Sequence, residues 1–272
     1  MTVSAWTGDR RTAVAIATRW GLPQDRPQQW LDTVGCEGVW VAREGGALTG
    51  VLRAYRTPDD RLRLIFAGDE PASCAALAGA VNGACVTLVD AGLPEVQQAL
   101  SGMGFSAVRR ELLLEIPVTD RRLDPPEGVS IVSILDRDAE EVMRLDAVLR
   151  EDIPGSSGWK PDLEQFLEQN HRSPGFDPKA YLIAVHNGAA VGLVRIWNRP
   201  DALPRVGMWG VLASHRQRGI ASVLLASALA VWHRRGAKAV CTEIDESNTA
   251  SRALARSFGA SVVGSTTEMA RR

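Results

Sequence analysis

Trp209-Gly210-Val211-Leu212-Ala213-Ser214-His215-Arg216-Gln217-Arg218-Gly219-Ile220-Ala221 joins two stretches of different period. The alternating residues 206–212 read as a strand, and the apolar positions recurring from 220 to about 235 read as a long amphipathic helix stopped at Gly236. A turn that feeds a helix in this way leaves the first N–H groups without intrahelical acceptors, at the positive end of the helix dipole. Such a turn is an anion site. Gly219 has no Cβ to obstruct a phosphate oxygen, Ala221 keeps the next position slim, and Arg216 and Arg218 can add charge-assisted bonds. An arginine and a glycine at a helix start can also be a plain solvated turn, so the flanking sequence must decide.

Downstream, residues 239–244 read as a strand, 248–258 as a helix stopped by Gly259, and 261–268 as a final strand. Upstream, 129–134 read as a strand and Asp136 as the N-cap of a helix running to about 149. A loop at 154–158 and a short helix at 161–169 follow. Strands at 180–186 and 190–197 are then joined by Asn187-Gly188, a hairpin turn. The order is β-α-α-β-β-β-α-β-α-β, in which 206–244 is the one crossover that demands a parallel pair.

The first half repeats this order. Residues 40–43 and 48–55 flank the turn Glu44-Gly45-Gly46, 62–66 form a third strand, and helix, strand and helix follow. Residues 84–90 resemble 239–245, and 101–105 resemble 256–260, which points to an internal duplication. Prolines and charges break the periodicity over 116–128. The expected class is therefore α/β (α+β), with two tandem domains at 1–118 and 129–272 joined by a linker at 119–128. Each is expected to be a mixed, mostly antiparallel twisted sheet flanked by helices.

Composition bounds the function. With 45% apolar and 23% charged residues the chain reads as globular, and its formal charge is −1. Split after Arg122, neither half departs from neutrality by more than one charge, so nucleic acid is not an expected partner. Cys36, Cys74, Cys85 and Cys241 have neither CxxC nor Cys/His spacing and read as reduced thiols without a metal. The N-terminus lacks the apolar core of a signal peptide, and no run reaches the length of a membrane span, so the expectation is a soluble, cytoplasmic monomer or homodimer.

The stretch 209–221 resembles the strand and pyrophosphate loop of the GCN5-related N-acetyltransferases (GNAT), whose signature (Gln/Arg)-x-x-Gly-x-(Gly/Ala) is met by Arg216-Gln217-Arg218-Gly219-Ile220-Ala221. Asn248, Leu254 and Gly259 match the family's next strand and helix in spacing. The resemblance implies acetyl-coenzyme A as cosubstrate and no metal. It implies that Trp209, Gly210 and Val211 lie along the pantetheine arm and that Gln217 to Ser222, with Arg218, Gly219, Ile220 and Ala221 between them, cradle the pyrophosphate beside Arg216. Asn248 would touch the cofactor or the substrate side. Glu243, five residues before Asn248, falls where one branch of the family places a glutamate base.

The family's usual acid, a tyrosine seven residues after the asparagine, is Ala255 in this chain. The acid stays open between water, Ser257 and the departing ammonium. The acceptor loop implied by the resemblance is 149–159, where Glu151 and Asp152 could attract a cationic amine while Trp159 and Trp197 wall its apolar part. The implied activity is acetyl transfer to a primary amine of a small molecule, natural product or peptide. The alternative is an acyl-CoA sensor that does not catalyse. The first half carries Asp69 and Glu70 where the anion site needs arginine and glycine, and Leu93 where the asparagine would stand, so it reads as a degenerate domain of the same kind.

Overall fold

The structure, a computed structural model, describes residues 1–6, 8–20, 36–57, 59–156, 158–160, 162–199 and 201–272, the side chains of 19 and 20 apart. It is a mixed α/β protein whose strand pairs are mostly antiparallel. Two compact units form, Met1–Glu111 with Ser265–Arg272, and Leu112–Gly264. The compositional break at 116–128 and this division do not coincide. Leu112, Leu114 and Ile116 are buried at alternate positions of a strand that continues to Pro117, so the apolar alternation holds up to the first proline.

The first unit contains β1 (Thr2–Ala5), α1 (Arg10–Trp20), β2 (Cys36–Glu44), β3 (Ala47–Arg56), β4 (Leu62–Ala67), α2 (Pro71–Gly79), β5 (Cys85–Asp90), α3 (Pro94–Gly102) and the first part of β6 (Ser106–Pro117). Strands β1 to β4 are antiparallel neighbours, and β4 pairs β5 in parallel across α2. The end of the chain then completes the sheet, with Thr266–Arg271 antiparallel to Cys85–Asp90. Leu52, Leu64, Leu77, Leu100 and Met269 form its main core. Helix α2 follows Gly68-Asp69-Glu70, and Glu70 stands at its N-cap, accepting a hydrogen bond from Ser73 Oγ at 2.6 Å. A carboxylate therefore occupies the helix start at which the second half carries Gly219.

The second unit contains β7 (Val129–Ser133), α4 (Ala139–Arg150), α5 (Leu163–Gln169), β8 (Tyr181–His186), β9 (Ala189–Trp197), β10 (Arg205–Val211), α6 (Ile220–Arg234), β11 (Ala239–Asp245), α7 (Thr249–Ser257) and the start of β12 (Ser261–Arg271). Its sheet runs β11-β10-β9-β8-β7, with the end of β6 beside β11. As in the first unit, three antiparallel pairs are followed by one parallel pair, β10 with β11, across a helix. The β8–β9 hairpin turns through Asn187 (φ 51°) and Gly188 (φ 82°), the positive angles that a two-residue turn requires.

Alternation along β9 separates two cores. Val194 and Ile196 face α6 with Leu224, Ala228 and Leu229. Leu193 faces α4 with Val142, Leu145 and Leu149. One expected cap shifts. Asp136 accepts from Ser133 N at 3.1 Å and closes a single 3-10 turn, whereas Asp138 caps α4 by accepting from Glu141 N at 3.0 Å. Both aspartates are capping residues by type, and only the chain path decides which one meets the helix. Helix α5 starts after the cap Asp162, and Pro161, where the sequence suggests its start, lies outside the described residues, as does Ser157 of the preceding loop.

Candidate functional site

Strands β10 and β11 share a single register pair, Arg205↔Cys241, and then part. Past that point β10 runs on against β9, after an irregularity between Val206 and Met208. The gap opens into a cavity of about 400 Å³ lined by Trp209, Gly210 and Val211 of β10, by the turn entering α6, by Asn248, Ser251 and Leu254 around the start of α7, and by Leu149 and Asp152 at the end of α4. Gly210 is needed for this approach, since a Cβ there would lie 3.1 Å from Leu149 Cδ1.

The turn entering α6 keeps the helix start open. Gly219 is the N-cap of α6 at φ 80°, ψ −4°, and no side chain caps that helix. A Cβ at Gly219 would meet no atom within 4 Å. Glycine is thus required by the left-handed backbone, and the space over the helix start is open to a ligand. Gln217 also has positive φ, 60°. Gln217, Gly219, Ile220, Ala221 and Ser222 all line the cavity. Within α6 the N–H of Val223 is the first to be taken up, by Gly219 O at 3.1 Å, which leaves the preceding N–H groups without a helical acceptor.

The two arginines differ from each other. Arg216 lines the cavity, with Nε donating to Val211 O at 3.0 Å and its guanidinium in an ion pair with Asp152. It braces the turn and links it to the loop after α4. Arg218 is exposed, donates to Ser214 O at 3.2 Å and is not part of the cavity wall. Asn248 Oδ1 accepts from Ser251 N at 3.0 Å and so caps α7 while facing the cavity.

The candidate acceptor groups separate. Asp152 lies on the cavity wall, but Glu151 is exposed at the C-cap of α4 and does not line it. Trp159 packs under the Arg150 guanidinium at 4.5 Å and Trp197 under that of Arg195 at 4.9 Å, and neither lines the cavity. Glu243 stands on β11 with its carboxylate held by Arg205 of β10, Nε at 2.7 Å and Nη2 at 2.6 Å, both on Oε2. It is not part of the cavity wall either. Ser257 Oγ donates to Leu254 O at 2.7 Å, and Ala255 is fully buried.

Several wall residues carry no signal of their own in the sequence. Leu149 and Ile153 are apolar positions whose neighbours depend on which strand α4 crosses. His215 lines the cavity with its Nε2 3.2 Å from His186 Nδ1 and its Nδ1 2.9 Å from Ser214 Oγ. Tyr181, the tyrosine of this unit, is buried in the α4 core, where burial pushes its hydroxyl up to about 12, so it stays protonated and away from the cavity.

Residues 145–260, which contain the whole loop and helix pair described above, match the profile described as "Acetyltransferase (GNAT) family". Over this stretch the chain is similar to the GNAT family. The chain is 30% identical over 160 residues to a mycothiol acetyltransferase of Thermomonospora curvata, covering 57% of this chain and 53% of that protein. With a mycothiol acetyltransferase of Frankia casuarinae it shares 28% over 225 residues, 78% of this chain and 57% of that one. The chain thus spans little more than half the length of these relatives. Among solved structures, a GCN5-related N-acetyltransferase from Sphaerobacter thermophilus superposes with TM-score 0.75 at 17% identity, covering 99% of this chain and 95% of that one. A tandem GNAT protein from the clavulanic acid biosynthesis pathway superposes with TM-score 0.62 at 16% identity, covering 86% and 82%. At these identities the structural likeness speaks for the GNAT fold alone.

Proposed function

We propose that the second unit binds acetyl-CoA in the cavity between β10 and α7 and transfers the acetyl group to a primary amine. The observation that carries the reading is the uncapped start of α6 behind Gly219, a cluster of free N–H groups with no Cβ over it, at one end of a cavity whose other wall is strand backbone. Gln217 to Ser222 hold the diphosphate, with Arg216 and Arg218 adding positive charge. Trp209, Gly210 and Val211 flank the pantetheine, and Asn248 closes the far side. The first unit is a degenerate GNAT-like domain whose helix start carries Glu70 instead.

Transfer proceeds by direct attack. The acceptor ammonium loses a proton, its nitrogen lone pair adds to the thioester carbonyl carbon, and the carbon–sulfur bond breaks as the thiolate takes up a proton. Glu243 accepts the ammonium proton directly or through water, and Glu151, Asp152, Trp159 and Trp197 contribute to acceptor binding. The acceptor is a small molecule, natural product or peptide, with an N-terminal α-amine favoured by the position of Glu243. The name of the curated relatives supports acetyl as the transferred group. A second reading, an acyl-CoA sensor without turnover, is favoured by Ala255 at the position of the usual acid.

Titration calorimetry with acetyl-CoA tests the cofactor reading. One site per chain is expected, abolished by Gly219→Glu, because a carboxylate over the helix start meets the diphosphate at contact distance, where each charge pair costs about 4 kcal/mol at an effective dielectric near 20. An absence of binding by the unmodified chain would refute it. Amine-dependent thiol release then separates the enzyme from the sensor.

A further inference from the structure

Trp197, Arg205 and Glu243 stand in a row on one face of three adjacent strands. Trp197 and Arg205 are register partners across β9 and β10, and Arg205 reaches Glu243 across the point where β10 and β11 part. Glu243 lies two residues beyond Cys241, the register partner of Arg205, where the strands have parted, and on β10 the cavity begins at Trp209. Gly207 gives the row its depth, since a Cβ there would clash with the Trp197 indole, 2.8 Å from Cδ1.

The ion pair is made by only half of each group. Both guanidinium contacts fall on Glu243 Oε2, from Nε and Nη2. Among the described residues, Glu243 Oε1 and Arg205 Nη1 receive no partner, and the two side chains remain 27% and 37% exposed. The pair therefore presents a negative edge and a positive edge side by side, fixed on strands. An isolated cation approaching Glu243 is repelled by Arg205, and an isolated anion approaching Arg205 is repelled by Glu243. A molecule with an ammonium and a carboxylate on the same carbon satisfies both edges at once, its dipole lying antiparallel to that of the pair.

We infer that the acceptor is a free α-amino acid, with its carboxylate on Arg205, its ammonium on Glu243 Oε1 and its side chain against Trp197. This rests on the acetyl transfer proposed above, and carries the N-terminal α-amine one step further, to an α-amine whose own carboxylate is free. The reaction balances as amino acid ammonium plus acetyl-CoA giving N-acetyl amino acid, free CoA thiol and one proton. The new bond is nitrogen to acetyl carbon, the broken one is carbon to sulfur, and of the two protons the nitrogen gives up, one passes by way of Glu243 to water and one ends on the thiol.

The test is thiol release by the full chain with acetyl-CoA and matched acceptors: leucine and phenylalanine, their amides, and the corresponding amines without the carboxylate. The free amino acids are expected to exceed both analogues at least tenfold in kcat/KM, mainly through KM. Arg205→Gln is expected to erase that preference while acetyl-CoA still binds by calorimetry, and Arg205→Lys to restore part of it. Equal or better turnover of the amides or simple amines overturns the inference and leaves acetyl transfer standing. Turnover of none of the panel overturns it too, while one acetyl-CoA site lost in Gly219→Glu keeps the cofactor reading. If Arg205→Gln does not fold, the amide comparison on the unmodified chain decides alone.

Discussion

Replacing Gly219 by alanine isolates the backbone conformation of the turn from its charge. Gly219 sits at φ 80°, ψ −4°, where an L-residue with a Cβ is strained by about 1–2 kcal/mol. The added methyl meets no atom within 4 Å, so there is no packing term to set against that strain. The strain must then emerge in one of two observables. If the turn keeps its shape, the melting temperature falls by about 2–4 °C per kcal/mol for a unit of this size, and acetyl-CoA affinity falls only as far as the new methyl crowds the diphosphate. If φ relaxes to negative values, stability returns but the N–H groups at the start of α6 rotate off the diphosphate. Each charge-assisted bond lost is worth about 1.5–3 kcal/mol, so affinity drops roughly 10- to 100-fold per bond. Differential scanning fluorimetry and calorimetry on the same samples read both. An alanine variant with unchanged melting temperature and unchanged Kd would refute the claim that this turn is held left-handed.

Arg195 is nearly buried, 3.4 Å from the buried Asp146 and 2.5 Å from Asn170 Oδ1. Arg195→Met leaves the Asp146 carboxylate, among the described residues, with Arg150 at 2.5 Å as its remaining cation, and should cost about 3 kcal/mol in urea unfolding. Adding Asp146→Leu should recover at least about 1 kcal/mol of that, and a double variant less stable than the single one would contradict the account. Tyr181 ionises near 10 when unfolded and at about 12 when folded, because burial disfavours the phenolate. Its contribution is complete below pH 10 and is lost as pH rises from 10 toward 12. Among the described residues its hydroxyl makes no hydrogen bond of good geometry, with Arg195 its interacting neighbour, so Tyr181→Phe should change stability at pH 7 little and flatten the alkaline limb of a stability–pH curve. A limb of unchanged steepness would show that other groups set it.

The elements of the second half were largely legible because each carries a local signal. The Asn187-Gly188 turn demands positive φ, the α6 stripe repeats at helical spacing, and Gly236 and Gly259 end their helices. The turn at 216–219 and the helix start after it were legible for the same reason, being one contiguous segment. Glu243 shows the limit. Its place at the end of β11 could be read, but its partner could not, because Arg205 lies 38 residues away and meets it only where two parallel strands run in one particular register. Glu151 and Asp152 were indistinguishable as letters, yet one ends on Arg216 at the cavity wall and the other in solvent.

What the sequence by itself determined is local: period, turn chemistry and helix ends are properties of neighbouring residues, and together they specify a strand, a glycine turn and a helix in that order. The tertiary structure alone decided what surrounds that site. The packing of Leu149 on Gly210, the bracing of Arg216 by Asp152, the charge pair at the parting of β10 and β11, and the return of the chain's last strand to the first unit all join residues far apart in sequence. Such contacts depend on strand register and on which helix crosses which strand. Both are selected by burial of the whole apolar surface, and no local stretch encodes them.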